Sequence, residues 1–125
     1  EPAFVDVDPG TMLIDPGQVE RFCGQLCRYD GETLTHRESG RAVSAIMPVH
    51  VAGLPCDMVT LERIASSYGL AVIEDAAQAF GSRYRDKMSG TIGHVACFSA
   101  HPLKNLNAAG DAFRVQRSLE ERSGS

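Results

Sequence analysis

Three short apolar runs limit what this chain can fold into more than any other feature. They cover residues 42–49, 70–73 and 94–99. Runs of this length without regular polar alternation are typical of strands buried on both faces of a parallel sheet. Between the first two runs, Asp57 and Gly69 bound a stripe of apolar residues at helical spacing, which predicts a helix. The order predicts an α/β fold, in which helices cover the faces of a parallel-rich sheet.

The residues before the first run predict one more strand and one more helix. Residues 4–7 alternate apolar with acidic side chains before a turn, so they are expected to form a strand. Asp15 and Pro16 predict the start of a helix, with an apolar face extending from residue 19 to residue 27. The predicted unit is therefore β-α-β-α-β. In such a unit, ligands bind beyond the carboxyl ends of the strands.

Two polar stretches separate these elements. Residues 28–41 are expected to form an exposed loop or small hairpin in which only Leu34 faces inward. Residues 82–93 are predicted to be hairpin-like. His50 and Asp75 are both expected at the carboxyl ends of predicted strands.

Size and charge exclude several classes of protein. A chain of 125 residues with 43% hydrophobic residues can bury one core, and its net charge of −4 disfavours binding to a nucleic-acid backbone. No apolar run approaches the roughly 20 residues of a membrane helix, and no signal peptide opens the chain, so a cytoplasmic protein is expected. The first residue is Glu rather than Met. The chain is therefore expected to have been processed, or cut from something longer.

The four cysteines are embedded among apolar residues. Cys23, Cys27, Cys56 and Cys97 are expected to be reduced thiols rather than a disulfide framework. Cys23 and Cys27 are one helical turn apart, but a zinc site would need two more ligands at the same place. No metal site is predicted.

Lys104 is the first candidate for chemistry. It lies between Leu103 and Leu106 in a segment otherwise poor in charge, whereas the other lysine, Lys87, lies in a charged turn. Desolvation at Lys104 would favour the neutral amine, which can attack a carbonyl carbon. A side chain that reaches past its apolar neighbours to solvent is the alternative.

Asp75 is the second candidate. An acidic residue at the end of an apolar strand is costly unless a group pairs with it, and a protonated pyridine nitrogen is one such group. The alternative is that Asp75 caps the short turn that begins at Ala76.

Four segments together resemble a known family. They are residues 46–50 (IMPVH), 72–79 (VIEDAAQA) followed by Gly81, 97–99 (CFS) and 101–106 (HPLKNL). In this order they resemble the middle of a pyridoxal-phosphate aminotransferase of fold type I, of the nucleotide-sugar family named DegT/DnrJ/StrS. The resemblance extends from about residue 2 to residue 111, and it implies a fragment of that fold's large, cofactor-binding domain.

The resemblance implies a role for five residues. Lys104 resembles the lysine that binds the cofactor covalently and carries a proton during the reaction. Asp75 resembles the carboxylate that keeps the pyridine nitrogen protonated. Ala77 resembles the small residue against one ring face, Gln78 the residue that hydrogen-bonds the ring hydroxyl, and Ser99 the hydroxyl that helps to hold the cofactor phosphate.

The two histidines near these segments are less defined. His50 could line the cofactor or substrate pocket from its strand end. Alternatively, it is a neutral histidine that is hydrogen-bonded between sheet and loop. His101 is given no role.

The activity that the resemblance implies is transfer of an amino group, with glutamate as the donor, to a keto sugar linked to a nucleotide. The parent enzyme would be a homodimer, and residues 28–41 resemble the branch that makes amino sugars for bacterial surface polysaccharides. The family's phosphate-binding turn upstream and its small domain downstream are absent from this sequence. Residues 112–125 depart from the pattern and are expected to be a polar tail, with a frameshifted or truncated end. The alternative is a non-catalytic α/β remnant that associates with itself or binds the cofactor without turnover.

Overall fold

The computed structural model describes residues 1–101 and 113–117. Its helices are α1 (Pro16–Arg21), which continues into a π-helical turn (Phe22–Leu26), a 3-10 turn (Val51–Gly53) and α2 (Met58–Tyr68). Its strands are β1 (Cys27–Tyr29), β2 (Leu34–His36), β3 (Ala42–Val43), β4 (Ala45–Ile46), β5 (Ala71–Asp75), β6 (Arg83–Tyr84), β7 (Lys87–Met88), β8 (Val95–Ser99) and β9 (Phe113–Arg117).

A four-stranded sheet in the order β4-β5-β8-β9 is the centre of the fold. Strands β4, β5 and β8 are parallel, and β9 runs antiparallel to β8. The crossover from β4 to β5 passes through α2, as expected for parallel neighbours. The mixed α/β architecture with a parallel-rich sheet confirms the predicted fold class.

Helix α2 forms where its sequence signals place it. Asp57 accepts a hydrogen bond from the backbone N–H of Thr60 at 3.3 Å, and Gly69 ends the helix in a left-handed conformation with φ 66°. The apolar stripe, comprising Met58, Leu61, Ile64 and Ala65, is buried. Helix α2 packs against β4, β5 and α1 on one face of the sheet.

The main core lies between that face and the two helices. Its buried side chains all lie between residues 13 and 72: Leu13, Val19, Cys23, Cys27, Leu34, Ile46, Cys56, Met58, Leu61, Ile64, Ala65, Leu70 and Val72. Leu34 faces inward as predicted, and all four cysteines are free thiols. A second buried cluster contains Ala76, Ala79, Ala96 and Phe98.

The N-terminal strand prediction is wrong. Within residues 4–7, only Val7 makes a ladder contact, an isolated bridge to Ile14, and Phe4 is exposed. The alternating acidic residues serve turns instead, since Asp8 accepts hydrogen bonds from Gly10 and Thr11. The first predicted strand is thus missing from the central sheet, and α2 is the single crossover helix of the described chain.

The apolar run at 42–49 is split between two sheets. Its first residues form β3, which joins β1 and β2 in an antiparallel three-stranded sheet, and the next form β4. Met47 and Val49 are exposed, so the prediction of burial on both faces is wrong for this run. In the described residues, β4 lies at the edge of the central sheet, and β3 pairs with β2 in the other sheet.

The polar stretches form hairpins, as predicted. Strands β1 and β2 pair across residues 30–33, and β6 pairs with β7 around Arg85. Residues 113–117 of the predicted polar tail form β9, which pairs with the whole length of β8. The expected boundary at residue 111 lies outside the described residues. Within the described ranges, no helix is long and apolar enough to cross a membrane.

Candidate functional site

The carboxyl ends of β5 and β8 place three polar side chains on one face of the sheet. The two strands pair in register with Asp75 opposite Cys97, so these side chains point to the same side, and Ser99 follows two residues later on that side. All three are half-buried, whereas the alternate residues Glu74 and Phe98 are buried on the other face. Asp75 and Ser99 therefore lie diagonally across one half-exposed face of the sheet.

Backbone hydrogen bonds hold Asp75 from both sides. Its N–H donates to the carbonyl of Pro48 at 2.8 Å, and its carbonyl accepts from the N–H of His50 at 3.0 Å. On the other side, the N–H of Ala76 donates to the carbonyl of Cys97 at 2.9 Å. The strand end is therefore fixed between its two neighbours.

The side chain of Asp75 caps the turn that follows it. Its Oδ1 accepts a hydrogen bond from the N–H of Ala77 at 3.0 Å, which is the alternative interpretation considered from the sequence. In the described part of the chain, this is the one hydrogen bond that its carboxylate accepts. A carboxylate has about four acceptor positions, so capping leaves capacity for a ligand.

Gln78 is held by the loop that follows β4. Its Oε1 accepts a hydrogen bond from the N–H of Ala52 at 2.8 Å, which fixes the orientation of the amide. Ala52 has a left-handed backbone with φ 53°, an uncommon conformation for a residue with a Cβ atom. The loop and the turn that carries Gln78 thus form one connected edge of the site.

The structure describes two of the three other predicted site residues. Ala77 is half-buried in the turn, and Ser99 Oγ accepts from the N–H of His101 at 3.3 Å. Lys104 lies outside the described residues, so its position relative to Asp75 stays a prediction.

His50 is a buried, hydrogen-bonded histidine rather than a pocket-lining one. Its Nδ1 accepts from the N–H of Cys56 at 3.1 Å, and its Nε2 lies 2.9 Å from Glu74 Oε2. His50 is fully buried. The structure therefore favours the second of the two interpretations drawn from the sequence.

Sequence reasoning missed Glu74. This residue is fully buried, and four N–H groups converge on its carboxylate. Burial raises the pKa of Glu74, but the hydrogen bonds from His50 and from the backbone of residues 90, 92 and 93 outweigh it, so the pKa lies below its ordinary value. A signal was present in the sequence. Two consecutive acids in a strand point to opposite faces of the sheet, so at least one of them lies on a face that a helix covers in an α/β fold.

The match to a family model decides the classification. The model of the DegT/DnrJ/EryC1/StrS aminotransferase family matches residues 1–115. This chain belongs to that family. The resemblance identified from the sequence is thereby confirmed.

Proteins similar to this member of the DegT/DnrJ/EryC1/StrS family agree with the assignment. It is 43% identical over 121 residues to the pleiotropic regulatory protein of Geobacillus stearothermophilus, covering 97% of this chain and 28% of that protein. It is 40% identical over 114 residues to the UDP-N-acetyl-3-dehydro-alpha-D-glucosamine 3-aminotransferase of Acidithiobacillus ferrooxidans, covering 91% and 27%. The chain thus spans little more than a quarter of the relatives that it matches.

A solved family structure shows the same fold. The crystal structure of a DegT DnrJ EryC1 StrS aminotransferase from Brucella abortus matches with a TM-score of 0.79 and 34% identity. The match covers 94% of this chain and 29% of that protein. The mixed α/β architecture therefore matches that of fold type I aminotransferases.

The half-exposed face fits the cofactor that this family uses, pyridoxal phosphate. The group needs a carboxylate for its ring nitrogen, donors for its ring oxygen and phosphate, and a small residue where the ring packs. Asp75 can accept further hydrogen bonds besides the one from its turn, Ala77 projects no more than a methyl group, and Ser99 provides a hydroxyl on the same face.

Among the described residues, there is no cluster of three or more His, Cys, Asp or Glu side chains that could hold a metal ion.

Proposed function

We propose that this chain forms part of a pyridoxal-phosphate-dependent aminotransferase that transfers an amino group to a keto sugar linked to a nucleotide. The observation that supports it most is the placement of Asp75 and Ser99 on one half-exposed face, at the carboxyl edge of a parallel sheet. Membership of the family supports the reaction type, and the UDP-sugar aminotransferase relative supports the substrate class.

Asp75 would hold the proton on the ring nitrogen. When bound, pyridoxal phosphate supplies an electron sink for the carbon that loses a proton. An ionised carboxylate beside the nitrogen favours the protonated ring, which strengthens that sink. The hydrogen bond from Ala77 would hold the carboxylate in one orientation when the cofactor binds.

Three neighbours would position the cofactor. Ala77 would leave room for the ring, and the amide of Gln78, oriented by Ala52, would donate to the ring oxygen. Ser99 would donate to the phosphate from the end of β8. Each group stands on a strand end or on the turn directly after one, which limits its movement.

Lys104 would bind the cofactor covalently and move the proton at the substrate carbon. Glutamate would be the amino donor. A second subunit of the longer enzyme would complete the site, so a homodimer is proposed.

Covalent labelling tests the proposal, because the chain has only two lysines. The protein is mixed with pyridoxal phosphate, reduced with borohydride, digested and mapped. We expect the pyridoxyl group on Lys104, and we expect Lys104→Ala to abolish the visible band that survives desalting. Lys87→Ala is the matched control, since Lys87 is exposed on β7.

Two results would contradict the proposal. One is equal labelling of Lys87, Lys104 and the N-terminal amine, because it would show reaction with exposed amines only. The other is a band that survives desalting equally in Lys104→Ala. Either result would favour the non-catalytic remnant.

A further inference from the structure

Building on the proposed function, we propose that Glu74 is a positioning residue for the cofactor site. Its buried carboxylate joins two loops, residues 50–56 and 90–93, to the strand end that carries Asp75. The inference concerns a residue that would touch neither cofactor nor substrate, because its side chain lies on the opposite face of the sheet from Asp75.

Each oxygen of the Glu74 carboxylate has two hydrogen-bond donors within the protein. Oε1 accepts from the N–H groups of Ile92 at 2.7 Å and Gly93 at 2.5 Å. Oε2 accepts from the N–H of Gly90 at 2.6 Å and faces His50 Nε2 at 2.9 Å. Four donors on one buried anion form a network whose partners all depend on the negative charge.

The network assigns the tautomer of His50. A backbone N–H, that of Cys56, donates to Nδ1, so the imidazole proton is on Nε2 and donates to Glu74. His50 therefore bridges β5 and the loop after β4. Its own backbone N–H donates to the carbonyl of Asp75, so one residue holds both consecutive acids.

The first loop links this pair to Gln78. Two residues after His50, the N–H of Ala52, whose backbone is left-handed, donates to Gln78 Oε1. A shift of His50 would move Ala52, and with it the orientation of the Gln78 amide. The path from Glu74 to Gln78 therefore consists of two side-chain hydrogen bonds and two peptide units.

The second loop links Glu74 to β8. Gly90 lies against the ring of Phe98, so closely that a Cβ atom there would overlap it. Phe98 directly precedes Ser99, and the N–H of His94 donates to the carbonyl of Val72 at 2.8 Å. Glu74 thus fixes the loop that supports the strand end carrying Ser99.

The test measures cofactor binding in variants matched for shape and charge. In Glu74→Gln, the amide nitrogen would replace one acceptor oxygen and face donors, so the loops lose their common anchor. We expect the dissociation constant of pyridoxal phosphate, measured by absorbance and fluorescence titration, to rise at least about tenfold, the equivalent of one charge-assisted hydrogen bond. Glu20→Gln is the control, since Glu20 pairs with Arg63 on the surface, and its constant should stay within about twofold of wild type.

A pair of His50 variants separates positioning from stability. His50→Leu removes the N–H that Glu74 accepts, whereas His50→Gln keeps an N–H donor toward it. Circular dichroism checks that each is folded. We expect His50→Leu to bind the cofactor as weakly as Glu74→Gln and His50→Gln to regain most of the affinity. The nitrogen chemical shifts of His50 in wild type should report the Nε2–H tautomer.

The outcomes are distinguishable. If wild type binds the cofactor and both Glu74→Gln and folded His50→Leu bind it equally well, the positioning role is overturned while the proposed function stands. If wild type itself does not bind, the proposed function fails and this inference fails with it. If Glu74→Gln does not fold, the His50 pair decides: equal affinity in the two His50 variants overturns the inference, and recovery in His50→Gln supports it.

Discussion

Glu74 and Asp75 are consecutive residues of β5, and their carboxylates lie on opposite faces of the same sheet. Glu74 is enclosed by N–H donors, while the carboxylate of Asp75 accepts a single hydrogen bond within the described residues, from Ala77, and lies half-buried beside Cys97. Because side chains alternate along a strand, these two adjacent carboxylates lie in different environments. Glu74 connects β5 to His50 and to residues 90–93, and Asp75 lies on the half-exposed face.

The first prediction concerns acid stability. The pKa of Glu74 lies below its ordinary value of 4.5, so the folded state binds this proton less readily than the unfolded chain. The stability that it contributes is therefore complete above about pH 4.5 and is lost as the pH falls through the lower, folded-state pKa. Urea denaturation at a series of pH values should show this loss.

Glu74→Gln should remove the contribution of Glu74 to that pH dependence and leave the contributions of Asp8, Asp30 and Asp57, whose pKa values are also lowered by hydrogen bonds. At neutral pH the substitution should destabilise the fold by about 3 kcal/mol, because it breaks a buried charged network. Glu20→Gln should leave the acid limb of the profile unchanged. An acid limb identical in wild type and Glu74→Gln would show that another carboxylate controls it.

The second prediction concerns close packing at Gly90. Its φ of 84° is unfavourable for a residue with a Cβ atom, and that atom would overlap the Phe98 ring. Gly90→Ala should destabilise the protein by about 3 kcal/mol, combining backbone strain with overpacking. Gly40→Ala, at φ 68° with open space around it, should cost about 1 kcal/mol of strain alone. Chemical denaturation compares the two, and equal losses would refute the packing contribution.

The third prediction concerns the start of α2. The carboxylate of Asp57 accepts from the N–H and hydroxyl of Thr60 and from the Tyr84 hydroxyl at 2.6 Å. Asp57→Ala should therefore lower stability by about 1 kcal/mol or more, since the helix loses its cap. Asp57→Asn keeps a capping oxygen and should lose less. If both variants were equally destabilised in thermal melts, the charge rather than the cap would account for the effect.

The same contact affects Tyr84. The hydrogen bond to Asp57 raises the pKa of the Tyr84 hydroxyl. In Asp57→Ala, the Tyr84 hydroxyl should ionise at lower pH, which ultraviolet titration can follow with Tyr84→Phe as the reference. No shift of that titration would mean that the contact is absent in solution.

The fourth prediction uses the cysteines to locate the cofactor face. Burial raises the pKa of Cys23 and of Cys56 to about 11, so both thiols should resist alkylation in the folded protein. Cys97 is half-buried beside Asp75 and should react first. Mass mapping after a short iodoacetamide treatment measures the order.

Bound pyridoxal phosphate should slow the labelling of Cys97. The cofactor would cover the face that Cys97 shares with Asp75 and Ser99, whereas it would not shield the thiols of the main core. Labelling in urea is the control, because all four cysteines should then react. Cys97 labelling that is unaffected by saturating cofactor would place the binding site elsewhere.

Local sequence signals were sufficient for the elements whose residues determine their own structure. Helix α2 has its cap at Asp57, its stripe and its Gly69, and it formed as predicted because each signal acts within a few residues. The strands β5 and β8 were identified from apolar runs, whereas their register, which places Asp75 and Ser99 on one face, is known from the structure.

Long-range packing decided the rest. Residues 4–7 have the alternation of a strand but no partner strand in the described residues, and the run at 42–49 divides between two sheets at residue 44. Glu74 and His50 are 24 residues apart, and the loop that encloses Glu74 lies 16 to 19 residues further on. The spacing of residues within each of these segments does not predict the contacts of Glu74 with His50 and with residues 90–93.

The sequence by itself determined the family and the fold class, and it predicted residues of the candidate site at the strand ends. Motifs and strand ends follow from residues that are close along the chain, where backbone preferences and side-chain spacing act directly. Only the tertiary structure decided that Glu74 is buried and that Asp75 lies on the half-exposed face. The burial of each side chain depends on the elements that pack on its face of the sheet, and these elements are distant along the chain.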